Sequence, residues 1–262
     1  MNNKRRIIKF ILYGILILLF IYFIYINNEL LKNILTNLCN SFKRTLIDEN
    51  RYILILNGLK STLIISTFSI IIGTILGLIL FFVRKSKIKV LKNIAKILVG
   101  FLRGTPITVL LLMFYYIIFG SININPVIVA IITFSIYFSA YASEIFRSAY
   151  ISLNITQIHS AYSLGFNKFQ TFKYIVLPQI LSYIVPVFKN ECVSLIKSTS
   201  IAGYISIMDL TKASDIIRNR TYEPFFPLIF TAIIYFIICL IISKLLDFVY
   251  LKINPRRVKE YE

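Results

Sequence analysis

The chain has 262 residues, 58% of them hydrophobic, and its mean hydropathy is +0.79. This apolar content exceeds that of an ordinary soluble domain and excludes that class. The 29 lysines and arginines against 11 acidic residues give a formal net charge of +18, which we attribute to basic loops beside anionic lipid rather than to nucleic-acid binding.

Six apolar segments are long enough to cross a membrane as helices. Crossing a hydrocarbon core of about 30 Å takes about 20 apolar residues in a helix. The expected fold class is therefore all-α, a polytopic transmembrane helical bundle of about six spans. In chain order the spans are expected at about 10–26, 57–83, 97–119, 126–147, 175–197 and 225–250.

Residues 1–56 are expected to form an N-terminal membrane helix and an extracytoplasmic linker. Basic residues at 4–9 precede the first apolar run, as in a signal peptide, but no small-residue cleavage site follows it. We therefore predict a retained helix. In 27–56, leucines recur at helical spacing near lysines, which indicates either a helix lying in the membrane interface or a plain extracytoplasmic loop.

Basic residues indicate which segments face the cytoplasm. They cluster at 4–9, 84–96 and 252–259, and cytoplasmic loops carry an excess of Lys and Arg. Both termini, including the tail 251–262, are therefore expected in the cytoplasm. The segment 84–96 is expected to be a cytoplasmic loop, and 198–224 a mostly polar outer loop.

The second span carries a stripe of small or weakly polar residues at helical spacing. Its members are Thr62, Ser66, Ser69, Gly73 and Gly77. Gly73 and Gly77 form a GxxxG, which lets another helix backbone approach closely. We expect the stripe to pack against another helix of the same subunit rather than to bind a ligand.

The stretch 156–174 is too polar to cross a membrane and lies between two predicted spans, at a cytoplasmic position. Its first part, TQIHSAYSL, is typical of a short helix that Asn154 or Thr156 caps. Gly165 can end that helix in a left-handed conformation. NKFQTFKY follows as a second turn or two, and Pro178 begins the next span.

This helix–glycine–helix hairpin leaves two hypotheses open. In the first it is a docking element, and the small side chains of Ser160 and Ala161 near its tip let a partner approach closely. In the second it is an amphipathic loop without a partner. General physical chemistry does not decide between them.

Six charged residues fall inside or at the ends of the predicted spans. A charge at the bilayer centre costs about 2.5–3.5 kcal/mol on insertion scales, so such residues usually face a bundle interior or a watery cavity. The six are Arg103, Glu144, Arg147, Lys189, Glu191 and Lys197.

These charges are expected to have different neighbours. Arg103 and Glu144 are predicted to form a structural ion pair, and Arg147 is predicted to be an anchor that extends to the inner membrane surface. Lys189 and Glu191 are two positions apart, so they cannot share one helix face. One of them is expected to face a cavity and the other a partner helix.

Two interruptions of the spans are also predicted. The Gly-Thr-Pro stretch at 104–106 is expected to break the third helix and to free backbone groups near a pathway. Pro178 and Pro186 are expected to break the fifth span.

The chain offers little material for a metal site or an enzyme. Cys39, Cys192 and Cys239 are far apart, and there is one histidine, so we expect no metal site. No phosphate-binding GxxxxGK[ST] loop and no GxSxG elbow occurs in the sequence. These features argue against an enzyme embedded in the membrane.

The hairpin resembles a known motif. Permease subunits of ABC importers carry Glu-Ala-Ala in a cytoplasmic coupling helix, a glycine six residues after the glutamate, and Ile-x-Leu-Pro ten residues later. The matching positions here are Ala161, Gly165, Ile175, Leu177 and Pro178. His159 stands where the motif has glutamate and Ser160 where it has the first alanine, so a role that needs a carboxylate at 159 is not carried over.

Further segments resemble the polar amino acid family of these permeases. They are NGLKSTLIIS at 57–66, FLRGTP at 101–106, YASEIFRSA at 141–149, IKSTS at 196–200 and DLTKASDIIRNRTYEPF at 209–225. Together they cover about 57–250, the expected permease transmembrane domain. Lys189 and Ser198 depart from the family pattern, in which glycine and aspartate are common at these positions.

The resemblance implies a type I ABC importer permease for polar amino acids in a bacterial cytoplasmic (inner) membrane. Such a subunit catalyses no reaction and binds no cofactor. A separate ATPase dimer would use ATP and magnesium, an extracytoplasmic binding protein would deliver the amino acid, and a second permease copy or a related permease would complete the pore. The alternatives are a permease for cystine, an osmolyte or an oxyanion, and a membrane-embedded enzyme or scaffold.

The resemblance also implies two sets of site residues. The ATPase-coupling residues would be Gln157, His159, Ser160, Ala161, Leu164 and Gly165. The candidates for the substrate path are Arg103, Thr105, Glu144, Lys189, Asn190, Glu191, Lys197 and Thr199. Both signs of charge suit an amino acid, which carries an ammonium and a carboxylate.

Overall fold

The computed structural model describes residues 13–14 and 28–253, and the regular structure in this part of the chain is helical. The predicted first span at 10–26 lies outside the described residues, apart from 13–14. The helices are α1 (Asn28–Phe42), α2 (Tyr52–Lys85), α3 (Lys89–Gly104), α4 (Ile107–Met113), α5 (Pro126–Ile151), α6 (Ile155–Ser163), α7 (Lys168–Ile205), α8 (Leu210–Thr221) and α9 (Phe225–Ile253).

Four helices in the described residues are long and apolar enough to cross a membrane. They are α2, α5, α7 and α9. Helices α3 and α4, bent by 107° at a short break, qualify together as a fifth span. This count of four or five roughly fits the expected polytopic bundle of about six spans, the first of which lies largely outside the described residues.

The helix pair α2–α5 forms the centre of the bundle, and the two helices run parallel. The small-residue stripe of α2 is buried, and its members Ser69, Gly73 and Gly77 lie along this contact. A Cβ added at Gly73 would lie 2.8 Å from the Ser135 carbonyl oxygen, and one at Gly77 would lie 2.6 Å from the Ala142 Cβ. Both distances are shorter than a van der Waals contact, which confirms that the stripe serves helix packing.

The main hydrophobic core surrounds this pair. Phe134 and Phe138 of α5 are fully buried, together with Ile65 of α2 and Leu111 of α4. Leu195 of α7 completes the cluster. The core therefore joins both halves of the chain to α5, which carries Glu144 and Arg147.

The break between α3 and α4 is confirmed at 104–106. Helix α3 ends at Gly104, Thr105 and Pro106 have extended backbone, and α4 begins at Ile107. The prediction of a loop over 84–96 is wrong, because α3 begins at Lys89. Apolar residues recur between the lysines at helical spacing, which favours an amphipathic helix over a loop.

The predicted break of the fifth span at its prolines is wrong. Helix α7 is continuous from Lys168 to Ile205, so it begins well before Pro178. A π-helical turn at Phe172–Val176 directly precedes that proline, and Pro186 lies inside the helix. Such wide turns accommodate local irregularity without ending a helix.

Both segments expected outside the spans contain helices. Of the two interpretations of 27–56, the helical one is confirmed by α1, whose last residue Phe42 packs against Phe226 and Phe230 of α9. The loop expected at 198–224 contains α8. Asp209 caps α8 by accepting hydrogen bonds from the Thr211 and Lys212 backbone N–H groups.

Candidate functional site: the hairpin and the charged residues of the bundle

The hairpin has the predicted helix–glycine–helix geometry. The Asn154 side chain caps α6 by accepting from the Thr156 N–H at 2.9 Å. Gly165 has a φ of 84°, in the left-handed region that favours glycine. Asn167 and Gln170 then form a reciprocal capping box. The second arm is the first turns of α7 itself, so the hairpin is joined rigidly to a long span.

Exposure divides the hairpin residues into two groups. Gln157, His159, Ser160, Leu164 and Gly165 are exposed, whereas Ala161 is buried. The expectation that Ala161 lies on the contact surface is therefore wrong, because it is 3% exposed and packs inside the hairpin. Its small side chain permits the close packing of the two arms.

The exposed surface of the hairpin includes large apolar side chains at and after the turn. Leu164 at the glycine turn is 77% exposed, and Phe169 on the second arm is 70% exposed. The Gln179 side-chain amide donates to Gln157 Oε1 at 2.8 Å, which fixes the first arm to α7. An apolar surface on a braced support is well suited to contact with another protein.

The predicted Arg103–Glu144 ion pair is wrong. Arg84 Nη1 lies 2.8 Å from Glu144 Oε2, and Arg147 pairs with the other carboxylate oxygen. Because α2 and α5 run parallel from the Gly73–Ser135 contact onward, the end of α2 brings Arg84 beside Glu144. Arg147 is therefore an ion-pair partner of Glu144, and its role as a membrane anchor stays a prediction.

Arg103 lies one turn away from this pair, among aromatic side chains. Its guanidinium is 5.2 Å from the centre of the Tyr141 ring, within the range of a cation–π interaction. The Tyr137 hydroxyl donates to the Tyr141 hydroxyl at 3.2 Å. Glu191 of α7 is half-buried and interacts electrostatically with Arg103 and Tyr137. The fold thus brings charged groups of α3 and α7 together beside α5.

Lys189 and Glu191 have different neighbours, as their spacing predicts. Lys189 Nζ lies 2.7 Å from Asp247 Oδ1 of α9, whereas Glu191 interacts electrostatically with Arg103 of α3. Asn190, between them, is exposed. The two charges therefore connect α7 to opposite neighbours.

Lys197 borders an open cavity of about 770 Å³ between α7 and α9. Thr211, Thr231 and Tyr235 also line it, and the Thr211 and Tyr235 hydroxyls are 3.3 Å apart. Thr231 Oγ1 is buried and has no hydrogen-bond partner within the described residues. The cavity therefore has a largely apolar wall with a cation and a few hydroxyls.

Two further candidates have local roles. Thr199 is fully buried and donates to the Ile196 carbonyl at 2.7 Å, at the end of α7. Thr105 donates to the Phe101 carbonyl at 2.8 Å, at the end of α3. Both hydroxyls satisfy carbonyls of the preceding turn, Thr105 where α3 ends and Thr199 where α7 passes into its last 3₁₀ turns.

Sequence reasoning missed four residues of these clusters. They are Arg84, Tyr137, Tyr141 and Asp247. Asp247 was detectable, because it is the one acidic residue in the apolar stretch 225–250 and such a group needs a partner. Arg84 was assigned to a loop, and nothing in a sequence distinguishes Tyr137 and Tyr141 from other aromatic residues of the bundle.

The described residues show no arrangement suited to a metal ion. His, Cys, Asp and Glu side chains in 28–253 form no group of three that could hold one. The three cysteines are free, with Cys39 exposed and the other two buried.

Comparison with known proteins identifies the family. The sequence profile described as "Binding-protein-dependent transport system inner membrane component" matches residues 69–259. The chain is 37% identical over 186 residues, 71% of its length and 82% of the relative, to the probable amino-acid ABC transporter permease protein YckA of Bacillus subtilis. It is 32% identical over 197 residues, 74% of its length and 89% of the relative, to the putative glutamine transport system permease protein GlnP of Rickettsia typhi.

A solved structure supports the same assignment. A crystal structure of an amino acid ABC transporter with histidines superposes with a TM-score of 0.67 at 34% identity. The match covers 76% of this chain and 94% of that one. On its sequence, its helical architecture and these relatives, the chain belongs to the binding-protein-dependent transport system inner membrane components, the permease subunits of ABC importers.

Proposed function

We propose that the chain is the membrane permease subunit of an ATP-driven importer of polar amino acids. The observation that carries the proposal is its 32–37% identity, over about three quarters of its length, to permeases named for amino acids or glutamine. The 34% identical solved transporter, crystallised with histidines, supports the same substrate class.

The hairpin is the proposed contact with the ATPase dimer. Gln157, His159, Ser160 and Leu164 supply exposed side chains, and Gly165 supplies the turn. Ala161 acts from inside, by holding the two arms together. Because the second arm is continuous with α7, a movement of the ATPase would be transmitted directly to a membrane span.

Charged groups of the bundle are proposed to line the substrate path. Arg103 and Glu191 offer opposite charges on different helices beside the ring of Tyr141. An amino acid carries both an ammonium and a carboxylate, so a path with both signs of charge compensates for its lost hydration. Lys197 places a further cation at the cavity beside α9.

The remaining path candidates divide by their partners. Glu144 is held by two arginines, so its role is to join α2 to α5. Lys189 is held by Asp247, Thr105 and Thr199 satisfy backbone carbonyls, and Asn190 is exposed. Of these five, Asn190 is the one that is exposed, so its side chain is accessible to a substrate or a second subunit.

The proposed working unit contains two permease subunits, two ATPase subunits and a substrate-binding protein on the outer face. Both termini of this chain face the cytoplasm. Closure of the ATPase dimer moves the hairpins, and the helical bundle changes from inward-open to outward-open as a semi-rigid body.

Uptake by vesicles tests the function. The permease is reconstituted with its ATPase and binding protein, ATP is enclosed, and accumulation of labelled glutamine, histidine, cystine, betaine and phosphate is measured. We expect ATP-dependent accumulation of one or more amino acids. Other amino acids that bind should suppress this accumulation. Accumulation of betaine or phosphate alone would overturn the substrate class.

A further inference from the structure

Helix α3 presents three different faces along its length. Successive residues advance by about 100° around a helix, which sorts its side chains into rows. The buried row is Ala95, Val99 and Leu102. An exposed apolar row is Val90, Ile94, Ile97 and Phe101. An exposed cationic row is Lys89, Lys92 and Lys96.

The two exposed rows lie on opposite sides of the buried one. The apolar row is unusually open: Ile97 is 73% exposed and Val90 is 66% exposed. The apolar and cationic rows are separated by about 140° around the helix axis, calculated at about 100° per residue. One side of α3 thus meets the bundle, a second side is apolar and exposed, and a third is positive.

The position of α3 in the bundle places these rows near one end of the long spans. Val99 and Leu102 pack with Leu80 of α2 and Ala140 of α5. The next turns of these spans carry Arg84 and Glu144, and α2 ends at Lys85. This is the basic end of α2, which the distribution of positive charge assigns to the inner membrane surface.

The orientation of α3 differs from that of a spanning helix. It meets the axis of α4 and its following turn at 107°. Its 16 residues extend about 24 Å, less than the hydrocarbon thickness of about 30 Å. If α3 stood across the membrane, Lys96 would lie near mid-depth. If it lies along the surface, all three lysines have the same depth.

The three lysines have no anionic partner within the described residues. The ion pairs in that part of the chain involve other basic residues. The first turn of α3 contains no acidic residue, and none of the described side chains caps it. Lysines at a helix N-terminus are opposed by the helix dipole, so an anion from outside the chain would be favourable there.

We propose that α3 is an in-plane helix of the membrane interface whose lysine row binds the phosphate groups of anionic phospholipids. The apolar row inserts between the acyl chains, and Lys89, Lys92 and Lys96 extend to the headgroups. A second copy of the chain fits this surface less well, because lysine is depleted from the cores of protein interfaces. An apolar face bordered by lysines is instead the pattern of interfacial helices.

Lipid selectivity tests the lysine row. The permease–ATPase complex is placed in nanodiscs that contain equal amounts of phosphatidylcholine and phosphatidylglycerol. The lipids that stay bound to the complex after its release from the nanodiscs are counted by native mass spectrometry. A basic residue beside an anionic surface favours binding about fivefold, so we expect at least that enrichment of phosphatidylglycerol. The variant Lys89→Gln/Lys92→Gln/Lys96→Gln should lower the enrichment to about one.

A matched control removes the same charge elsewhere. Lys32→Gln/Lys43→Gln/Lys60→Gln alters three exposed lysines of α1, the following turn and the start of α2, and should retain the enrichment. Equal enrichment in the α3 variant and the native complex would overturn the proposal. So would an equal loss in both triple variants, because the effect would then be general charge.

The apolar row is tested at Ile97. In a background with Cys39, Cys192 and Cys239 replaced by serine, Ile97→Cys is labelled with bimane. The bimane fluorescence of this variant is expected to be quenched by lipids that are brominated in the acyl chain. The fluorescence of a label on Lys92→Cys is expected to be quenched by aqueous iodide instead. Oxidative cross-linking between two copies of the Ile97→Cys variant, or iodide quenching of its label, would overturn the proposal. Neither readout depends on which solute is imported, so a negative result here would leave the proposed function unaffected.

Discussion

Arg84 at the end of α2 and Glu144 of α5 form an ion pair with an N–O distance of 2.8 Å. The same carboxylate also binds Arg147, one turn further along α5. The pairing exists because α2 and α5 run parallel and are held in register by small residues. A single carboxylate thus pairs with two arginines at the end of the central helix pair.

Glu144→Gln is expected to destabilise the permease, because two guanidinium groups lose their partner. The loss should be about 1–3 kcal/mol, the typical cost of a polar group left unsatisfied away from water. Thermal unfolding in detergent measures it, with Glu29→Gln on the exposed surface of α1 as the control. Equal melting temperatures for the two variants would show that the pair does not stabilise the fold.

Gly165→Val and Gly165→Asn should separate the backbone requirement at the turn from side-chain size. The φ of 84° is strained for a β-branched residue but tolerated by asparagine. No other heavy atom lies within 4 Å of the position that a Cβ would take, so crowding does not enter. We expect ATP-driven uptake to be lost in the valine variant and largely retained in the asparagine variant. Similar uptake by both would contradict the role of the left-handed turn.

Leu164→Asp and Ala161→Arg should both reduce uptake, by different routes. Leu164 is 77% exposed, so aspartate there should weaken ATPase binding and leave the hairpin folded. Ala161 is 3% exposed, so arginine should overfill and open the hairpin. ATPase pull-down and limited proteolysis between 155 and 176 distinguish these effects. Protection of the Ala161→Arg hairpin equal to that of the native protein would refute its internal position.

Lys189 and Asp247 are expected to depend on each other. Lys189→Met leaves the Asp247 carboxylate without its partner, and the double variant Lys189→Met/Asp247→Asn removes both charges. We expect the single variant to lower the melting temperature and the double variant to restore most of it, since the loss arises from an unpaired charge. Additive losses in the double variant would argue against a direct interaction.

Glu191→Gln is expected to impair uptake without preventing assembly. The side chain interacts electrostatically with Arg103 and Tyr137 on two other helices, and its carboxylate would attract a substrate ammonium. The expected reduction is about tenfold or more in uptake at limiting substrate, corresponding to about 1.4 kcal/mol. Ser194→Ala, at an exposed position one turn away, is the control. Native uptake by Glu191→Gln would remove this cluster from the path.

The sequence by itself determined the helical class, the approximate number of spans and the hairpin. These depend on local quantities: the length of apolar runs, the capping capacity of Asn154, and the conformational freedom of Gly165. The stripe of α2 was also correctly interpreted, because only small residues at 3–4 spacing allow two backbones to approach. The break at 104–106 followed from the extended backbone that precedes proline.

The tertiary structure decided which charges meet. Sequence reasoning paired Arg103 with Glu144. The parallel alignment of α2 and α5 instead places Arg84 beside Glu144, and the bend before α4 places Arg103 beside Tyr141. It also decided that Ala161 lies inside the hairpin, and that α3 is a helix with three faces rather than a loop. Contacts between residues far apart in the chain depend on helix register and crossing angle, and these are properties of the packed bundle that no single segment encodes.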